Sequence, residues 1–239
     1  MDKLLTIKEA ASFLNVSEMS LRRWTNAGQL KCYRVGGNKE RRFDRQDLIN
    51  FLHPGQRGTT QLGLGDHKVD SSSHIAQFYQ SLDESLTTGI NYISTGLSLG
   101  EKALVVSTAA RLPMLLDGLK NQGFPVGDLI GDGSIITDTG RSIPAEQIQF
   151  MTKAVSATTR GFRLLGDMAW ALEKKWSLTD LTTLEDYTNS ALADKNKLFL
   201  CQYDIEQFPA SVAMMAFDTH RLTSYRGELK ESPYFAGTA

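Results

Sequence analysis

Between residues 75 and 220 the chain alternates between short apolar runs and longer amphipathic runs. Five short runs have the length and composition of buried strands: 75–79, 103–107, 134–137, 163–168 and 198–203. The longer runs have the length and periodicity of helices: 82–99, 112–122, 144–159, 178–193 and 210–220. Strands separated by helices pair in parallel, because each connection crosses over the sheet. The alternation therefore predicts an α/β body with a mostly parallel sheet that is covered on both faces.

The N-terminal part of the chain carries a different pattern, of three short helices and a hairpin. Thr6 and Glu9 have the spacing of a capping box, which starts a first helix. Ser17 is positioned to cap a second helix, and Asp44 a third. Between these two helices, the segment 31–43 contains a double-glycine turn and predicts a two-stranded wing with basic residues at its tip. The pattern indicates a small winged helix-turn-helix head.

Five stretches of this head share their order with one family of DNA-binding domains: Leu5-Thr-Ile-Lys-Glu-Ala-Ala, Leu21-Arg-Arg-Trp24, Gly28-Gln-Leu30, Tyr33-Arg-Val-Gly-Gly37 and Arg41-Arg-Phe43. The head resembles the MerR/excisionase family of winged helix-turn-helix domains. The resemblance implies a recognition helix in the major groove and a wing on the DNA backbone or minor groove. The side chains that it implies for DNA contact are Ser17, Arg22, Arg23, Tyr33, Arg34, Lys39, Arg41 and Arg42.

The charges of the chain are distributed unevenly. Of its 26 basic and 27 acidic residues, 11 and 6 lie within residues 1–58, which leaves 15 and 21 in the remainder. A basic head on an acidic body indicates that a polyanion binds at the N-terminal end. We therefore expect double-stranded DNA to bind the head and not a broad surface of the body.

Several classes of protein are not expected from this sequence. The two cysteines, Cys32 and Cys201, are too far apart to suggest a disulfide framework or a metal-binding quartet, and they fit a reducing cytoplasm. The chain has no apolar run of about eighteen residues and no signal peptide, so we expect a cytoplasmic protein without a membrane partner. We find no nucleophile–base pair at motif spacing, so we expect no enzymatic activity, no cofactor and no metal ion.

The segment 54–72 is rich in glycine and polar residues. This composition predicts a flexible linker between a head over 1–53 and a body over 73–239. The larger MerR regulators continue from the head into a long dimerisation helix, which this sequence does not show. We therefore expect that the body, and not the head, forms a homodimer.

The order of elements in the body resembles that of RecA-like ATPases of the KaiC type. In those proteins a glycine-rich loop with a lysine follows the first strand and binds phosphate. The corresponding segment here, 79–84, has no glycine and no lysine and contains two carboxylates. The resemblance therefore implies a degenerate RecA/KaiC-like fold without ATP hydrolysis.

A second resemblance covers most of the body. The stretches that carry it are Ser73-His-Ile-Ala-Gln-Phe-Tyr79, Gly100-Glu-Lys-Ala-Leu-Val-Val106, Gly161-Phe-Arg-Leu-Leu-Gly-Asp-Met-Ala-Trp170, Leu184-Glu-Asp-Tyr-Thr-Asn189 and Leu200-Cys-Gln-Tyr-Asp204. They resemble the MEDS domain, the sensory domain of DcmR-type regulators. The resemblance implies small hydrocarbon derivatives as ligands. The residues that it implies for ligand binding are His74, Tyr79, Arg163, Asp167, Trp170, Glu185, Cys201, Tyr203 and Asp204.

Together these features predict a one-component transcriptional regulator that binds DNA through its head and senses a small organic ligand through its body. We expect the ligand at the carboxyl ends of the parallel strands. Two alternatives stay open: an excisionase-like architectural DNA binder whose body recruits another protein, and a nucleotide-binding RecA-like ATPase. For single residues a structural role is also open: a lone buried cysteine such as Cys201 is more often a core residue than a sensor, and Arg163 can form an interior ion pair.

Overall fold

The computed structural model describes residues 4–26, 30–37, 40–52, 58–156, 161–191 and 196–235. The chain divides into two compact units, Met1–Gly58 and Thr59–Ala239. The boundary between the units therefore coincides with the boundary between the basic and the acidic part of the sequence.

The described part of the N-terminal unit, which we call the head, contains three helices and a small antiparallel sheet. Its elements are β1 (Leu5–Thr6), α1 (Ile7–Leu14), α2 (Glu18–Asn26), β2 (Tyr33–Val35), β3 (Glu40–Phe43) and α3 (Arg45–Leu52). Strand β3 is central, with β1 on one side and β2 on the other. The helices and the wing hairpin agree with the sequence prediction, whereas the two residues of β1 are too few to show an alternating pattern.

Local side-chain chemistry explains where the first helix begins and ends. The Glu9 carboxylate accepts a hydrogen bond from the Thr6 amide at 2.7 Å, and the Thr6 hydroxyl accepts one from the Glu9 amide at 3.2 Å. This confirms the predicted capping box. Asn15, in the left-handed region with φ of 53°, ends α1. Leu21 of α2 and Phe43 of β3 are fully buried and join the three helices to the sheet.

The C-terminal unit, which we call the body, is an α/β structure. Its strands are β4 (Thr59–Gln61), β5 (Lys68–Asp70), β6 (His74–Tyr79), β7 (Lys102–Val106), β8 (Ile135–Asp138), β9 (Phe162–Asp167), β10 (Lys197–Asp204), β11 (Leu222–Tyr225) and β12 (Glu228–Glu231). Its helices are α4 (Leu82–Ser98), α5 (Leu112–Asn121), α6 (Val126–Gly131), α7 (Pro144–Ser156), α8 (Ala169–Glu173), α9 (Leu178–Ala191) and α10 (Ala210–Thr219).

Seven of these strands form one sheet in the order β12-β11-β6-β10-β9-β7-β8. Every neighbouring pair is parallel except β11 and β12, which form an antiparallel hairpin at one edge. The five predicted strands and the helices that follow them are present, and the predicted fold class is confirmed: a small helix-turn-helix head joined to an α/β body with a mostly parallel sheet. The edge hairpin was not expected, because the charged residues of β12 do not form an apolar run.

Successive side chains of each strand point to opposite faces of the sheet. One face packs against α7, α9 and α10, and we call it the α9 face. The other packs against α4, α5 and α6, and we call it the α4 face. Each face has its own apolar core, so a side chain's position in its strand decides which of the two interiors it enters.

Residues 59–72 differ from the sequence prediction, which assigned them to a flexible linker. Strands β4 and β5 pair there as an antiparallel hairpin. Leu62 and Val69 of this hairpin are buried in the core of the α4 face. Arg163 of β9 also donates hydrogen bonds to the carbonyls of Gln61, at 2.5 Å, and Leu62, at 2.8 Å. The glycine-rich composition of the segment does not predict these contacts, because they involve residues about a hundred positions away along the chain.

Candidate functional site

Helix α2 of the head exposes the face that was expected to meet DNA. Arg22 and Arg23 are exposed, and so is Met19 at 78%. Leu21 on the opposite side is fully buried. The Arg22 guanidinium lies 3.3 Å from the Glu18 carboxylate one turn earlier, which holds it along the helix surface. The exposed side of α2 is therefore basic and partly apolar, as base edges and the thymine methyl group require.

The other predicted DNA contacts lie near α2 and on the wing. The Ser17 hydroxyl accepts a hydrogen bond from the Ser20 amide at 3.1 Å, so it caps α2, as the sequence predicts. The wing residues Tyr33 and Arg34 are exposed. Lys39 lies outside the described residues.

Two wing arginines, Arg34 and Arg41, are directly opposite each other on β2 and β3. Arg41 donates to the side-chain oxygen of Asn26 at 2.6 Å and so ties the wing to the end of α2. Arg42 lies 2.7 Å from Glu40.

In the body, one set of predicted residues meets at the carboxyl ends of the parallel strands, on the α4 face. Tyr79 ends β6, Asp167 ends β9 and Asp204 ends β10. Arg111, just before α5, donates to the Tyr79 hydroxyl at 2.6 Å and to Asp167 at 3.0 Å. Ser107, which follows β7, donates to the other oxygen of Asp167 at 2.7 Å. We call these five residues the rim network.

The rim network carries an ion pair between the buried Asp167 and the partly buried Arg111, beside a surface pocket. Burial, reinforced by the charge of Asp167, raises the pKa of Tyr79 far above its ordinary value, so Tyr79 stays protonated. Partial burial acts to lower the pKa of Arg111, but Asp167 and Tyr79 raise it overall. A pocket of about 280 Å³ opens above Arg111. Thr108, Met114 and Leu172 are among its other lining residues.

A second set of predicted residues meets inside the body, on the α9 face. We call it the interior cluster: His74 of β6, Glu185 of α9, Cys201 and Tyr203 of β10, and His220 after α10. Glu185 lies at its centre. One carboxylate oxygen accepts a hydrogen bond from the Tyr203 hydroxyl at 2.5 Å, and the other lies 3.1 Å from Nε2 of His74. The second oxygen is also 3.8 Å from the Cys201 sulfur and 3.6 Å from Nε2 of His220.

Burial governs the protonation of this cluster. Burial acts to raise the pKa of Glu185, but the two histidines and the Tyr203 hydroxyl outweigh it and lower that pKa to about 2. Burial, together with the nearby ring of His74, lowers the pKa of His220 to about 3. Burial and then Glu185 raise the pKas of Cys201 and Tyr203 well above their usual values. Near neutral pH the cluster therefore holds an ionised carboxylate, a neutral His220 and a protonated thiol.

An internal cavity of about 10 Å³ adjoins the interior cluster, with room for about one water molecule. The accessible surface of the cavity is apolar, and its lining residues include Val106, Met151, Leu164, Met168, Trp170 and Leu184, with Glu185 and Cys201 beside them. Gln147 also lines the cavity. The indole nitrogen of Trp170 and the amide nitrogen of Gln147 are buried donors with no hydrogen-bond partner among the described residues.

The nine predicted ligand-binding residues are therefore divided among different environments. Those in the rim network are Tyr79, Asp167 and Asp204, and those in the interior cluster are His74, Glu185, Cys201 and Tyr203. Trp170 lines the cavity, whereas Arg163 contacts Glu101 and the β4–β5 hairpin on the α4 face.

Three residues of these sites were not among the predicted site residues: Ser107, Arg111 and His220. Ser107 directly follows an apolar strand, so the sequence places it at the carboxyl end of the sheet although it was not among the predicted ligand-binding residues. Arg111 and His220 lie beside or within loops and carry no signal in sequence spacing. They join the sites because the strand order β6-β10-β9-β7 brings together elements that are far apart in sequence.

Comparison with known proteins gave three kinds of match. A family model described as the methanogen/methylotroph DcmR sensory domain, MEDS, matches residues 73–221, and a helix-turn-helix model matches residues 4–54. The transcriptional repressor DcmR of Methylorubrum extorquens is 32% identical over 251 residues, covering 96% of this chain and 94% of that protein. Among solved structures, a KaiC-like protein from Pyrococcus horikoshii aligns with 64% of this chain and 70% of its own, with a TM-score of 0.48 and 13% identity. Within the described residues, we find no helix long and apolar enough to cross a membrane.

Proposed function

Because this chain belongs to the MEDS family of DcmR-type transcriptional regulators, we propose that it represses transcription until a small organic molecule binds its body. The chain is a transcriptional regulator with a DNA-binding helix-turn-helix domain and a MEDS sensory domain. We infer repression, rather than activation, from the similarity to the Methylorubrum relative, which is a transcriptional repressor. The ligand, its site and the manner of DNA contact are our proposal.

The internal cavity on the α9 face is the observation that carries the ligand proposal. Its walls are apolar, and two buried N–H donors, on Trp170 and Gln147, lack a partner among the described residues. An unpaired buried donor costs about 1–3 kcal/mol, which a guest with one acceptor atom would recover. A small, weakly polar molecule with a single acceptor fits these features.

The cavity is small, so a guest larger than water must displace side chains. Met151 and Met168 line it, and methionine is unbranched and adapts its shape at low cost. Met151 belongs to α7, and Leu184 and Glu185 belong to α9. A guest would therefore act on the packing of these two helices against the sheet. The guest can change DNA binding only if it binds one arrangement of the body more tightly than another.

For the head we propose the winged mode of DNA contact. Helix α2 would enter the major groove, with Arg22 and Arg23 at base edges, and the opposed wing arginines Arg34 and Arg41 would bind the phosphate backbone. We further propose that the body dimerises, because two tethered heads bind DNA more tightly through their raised effective concentration.

A cavity-filling variant tests the ligand site. Gly166 of β9 lines the cavity, and an added methyl group would lie 3.4 Å from the Met168 sulfur and 3.9 Å from the Cys201 sulfur, which are ordinary contacts. We expect Gly166→Ala to fold normally and to reduce guest binding. Gly127→Ala is the matched control, because a methyl group there meets no atom within 4 Å.

The measurement is a thermal-shift screen of the full chain against small, weakly polar compounds, followed by DNA-binding titrations with each hit. A guest that binds only the folded state raises the melting temperature. We expect hits to stabilise the parent chain and the Gly127→Ala control, to stabilise Gly166→Ala less, and to weaken DNA binding. Equal stabilisation of both variants would contradict the assignment of the guest to the internal cavity. Loss of guest binding in Arg111→Met would assign the guest to the pocket above the rim network instead. Micromolar binding of ATP with magnesium would support the nucleotide-binding alternative.

A further inference from the structure

Four side chains of the interior cluster bring metal-binding atoms to one buried point. They are Nε2 of His74, a carboxylate oxygen of Glu185, the sulfur of Cys201 and Nε2 of His220. All four residues are buried, and these atoms lie within 4.8 Å of one another. They come from two adjacent strands, from α9 and from the residue that follows α10. Because these positions are far apart in sequence, no motif of regular spacing predicts that they meet.

Four of the six separations between these atoms are close to those around a tetrahedral ion, and all six are within 4.8 Å. Zinc bonds of about 2.0–2.3 Å to nitrogen, oxygen and sulfur put neighbouring ligand atoms about 3.3–3.7 Å apart. Here Nε2 of His74 is 3.1 Å from Glu185 and 3.5 Å from the Cys201 sulfur. The same Glu185 oxygen is 3.8 Å from that sulfur and 3.6 Å from Nε2 of His220. Shifts of a few tenths of an ångström would bring these four distances into the tetrahedral range.

The outer hydrogen bond of His74 leaves its inner nitrogen without a hydrogen in the neutral ring. The Asn189 amide nitrogen donates to the Thr219 carbonyl at 2.8 Å, so the Asn189 oxygen faces His74. Nδ1 of His74 lies 3.0 Å from that oxygen and must donate to it. In a neutral ring Nε2 then carries only a lone pair, and this lone pair faces the Glu185 carboxylate. Two acceptors at this separation need a cation or an extra proton between them.

His220 repeats the arrangement. Its Nδ1 lies 2.9 Å from the Ala216 carbonyl, an obligate acceptor, so Nδ1 carries the hydrogen. Nε2 then holds a lone pair, and this atom is buried with no hydrogen-bond partner among the described residues. Histidine ligands of metal ions usually show this pattern, with the outer nitrogen donating to a carbonyl and the inner one free to bind.

We propose that His74, Glu185, Cys201 and His220 bind a divalent transition-metal ion, with zinc as the best match. The donor set of two imidazoles, one carboxylate and one sulfur is one that zinc accepts, and four protein ligands make a closed, structural type of site. Binding would deprotonate the Cys201 thiol, so the carboxylate and thiolate would neutralise the two positive charges of the ion in a fully buried site. The ion would fasten α9 and the end of α10 to the sheet, directly beside the cavity.

The test uses cobalt(II) as a spectroscopic substitute for zinc in the full chain. The protein is produced with added cobalt or zinc, freed of loose metal, and analysed for metal content and absorption. We expect about one ion per chain, the strong visible absorption of tetrahedral cobalt, and a thiolate-to-cobalt charge-transfer band in the near ultraviolet. None of these readouts depends on DNA or on an organic ligand, so the result is independent of the proposed sensory function.

Matched variants locate the ion. Cys201→Ser should abolish the charge-transfer band, whereas Cys32→Ser, which removes the only other cysteine, should retain it. Asn189→Ala removes the outer partner of His74 and should weaken metal affinity about 10–100-fold without removing a ligand. Tyr203→Phe should still bind the ion, which separates loss of a ligand from loss of a nearby hydrogen bond. Circular dichroism checks that each variant is folded. A folded parent chain without bound metal, or a charge-transfer band that persists in Cys201→Ser, would overturn the proposal.

Discussion

Replacing Arg163 with methionine tests whether this arginine holds the body together or binds a ligand. Its side chain is fully buried. It donates to the Glu101 carboxylate at 2.5 Å and to three carbonyls, those of Gln61 at 2.5 Å, Leu62 at 2.8 Å and Tyr92 at 3.0 Å. Methionine keeps an apolar stem but has no donor, so the carboxylate and all three carbonyls lose this partner.

The size of the effect follows from these contacts. Removing one partner of a buried ion pair costs about 3–5 kcal/mol. For a unit of the size of Thr59–Ala239, each kcal/mol lowers the melting temperature by about 2–4 °C, so we expect a decrease of about 6–20 °C. The β4–β5 hairpin should loosen first, because Arg163 binds two of its carbonyls.

The assay is urea and thermal unfolding of the full chain, followed by circular dichroism, with hydrogen exchange of the amides in residues 59–70. The matched control is Arg221→Met. Arg221 also pairs with this hairpin, at 3.5 Å from Asp70, but it is 55% exposed. An exposed ion pair contributes about 1 kcal/mol or less, so the control should unfold close to the parent chain. Equal effects of both substitutions, or normal stability of Arg163→Met together with a lost ligand response, would refute the structural role of Arg163.

Three further predictions concern other parts of the chain. Arg22→Ala should weaken binding to the operator more than to scrambled DNA, by about 1–3 kcal/mol, whereas Arg41→Ala should weaken both and reduce the salt dependence, as titrations at two salt concentrations will show. Gly140→Ala should destabilise the body by about 1–3 kcal/mol, measured by urea unfolding, because φ at Gly140 is 75° and an added methyl group would overlap the indole of Trp170. The full chain should sediment as a dimer in ultracentrifugation, and a chain that stays monomeric at the concentrations of DNA binding would contradict the tethering argument.

Much of the fold follows from local sequence. Thr6 and Glu9 define the start of α1 because a capping box needs only residues three positions apart. The five strands of the parallel sheet and the helices that follow them are apparent from apolar periodicity, which reports burial directly. The β4–β5 hairpin is not apparent, because its leucines stand among glycines, and the core residues and the Arg163 hydrogen bonds that they contact lie far along the chain.

The candidate sites depend on tertiary structure to a greater extent. The sequence places Tyr79 and Tyr203 at the carboxyl ends of two strands. It does not determine whether their side chains lie on the same face of the sheet or on opposite faces. In the parallel pairing of β6 with β10, Tyr203 is level with Phe78, so Tyr79 turns toward the α4 face and Tyr203 toward the α9 face. Pairing between strands distant in sequence is set by how helices of fixed length cross the sheet. That register, and not any local pattern, divides the predicted residues into a rim network and an interior cluster and brings His220 to Glu185.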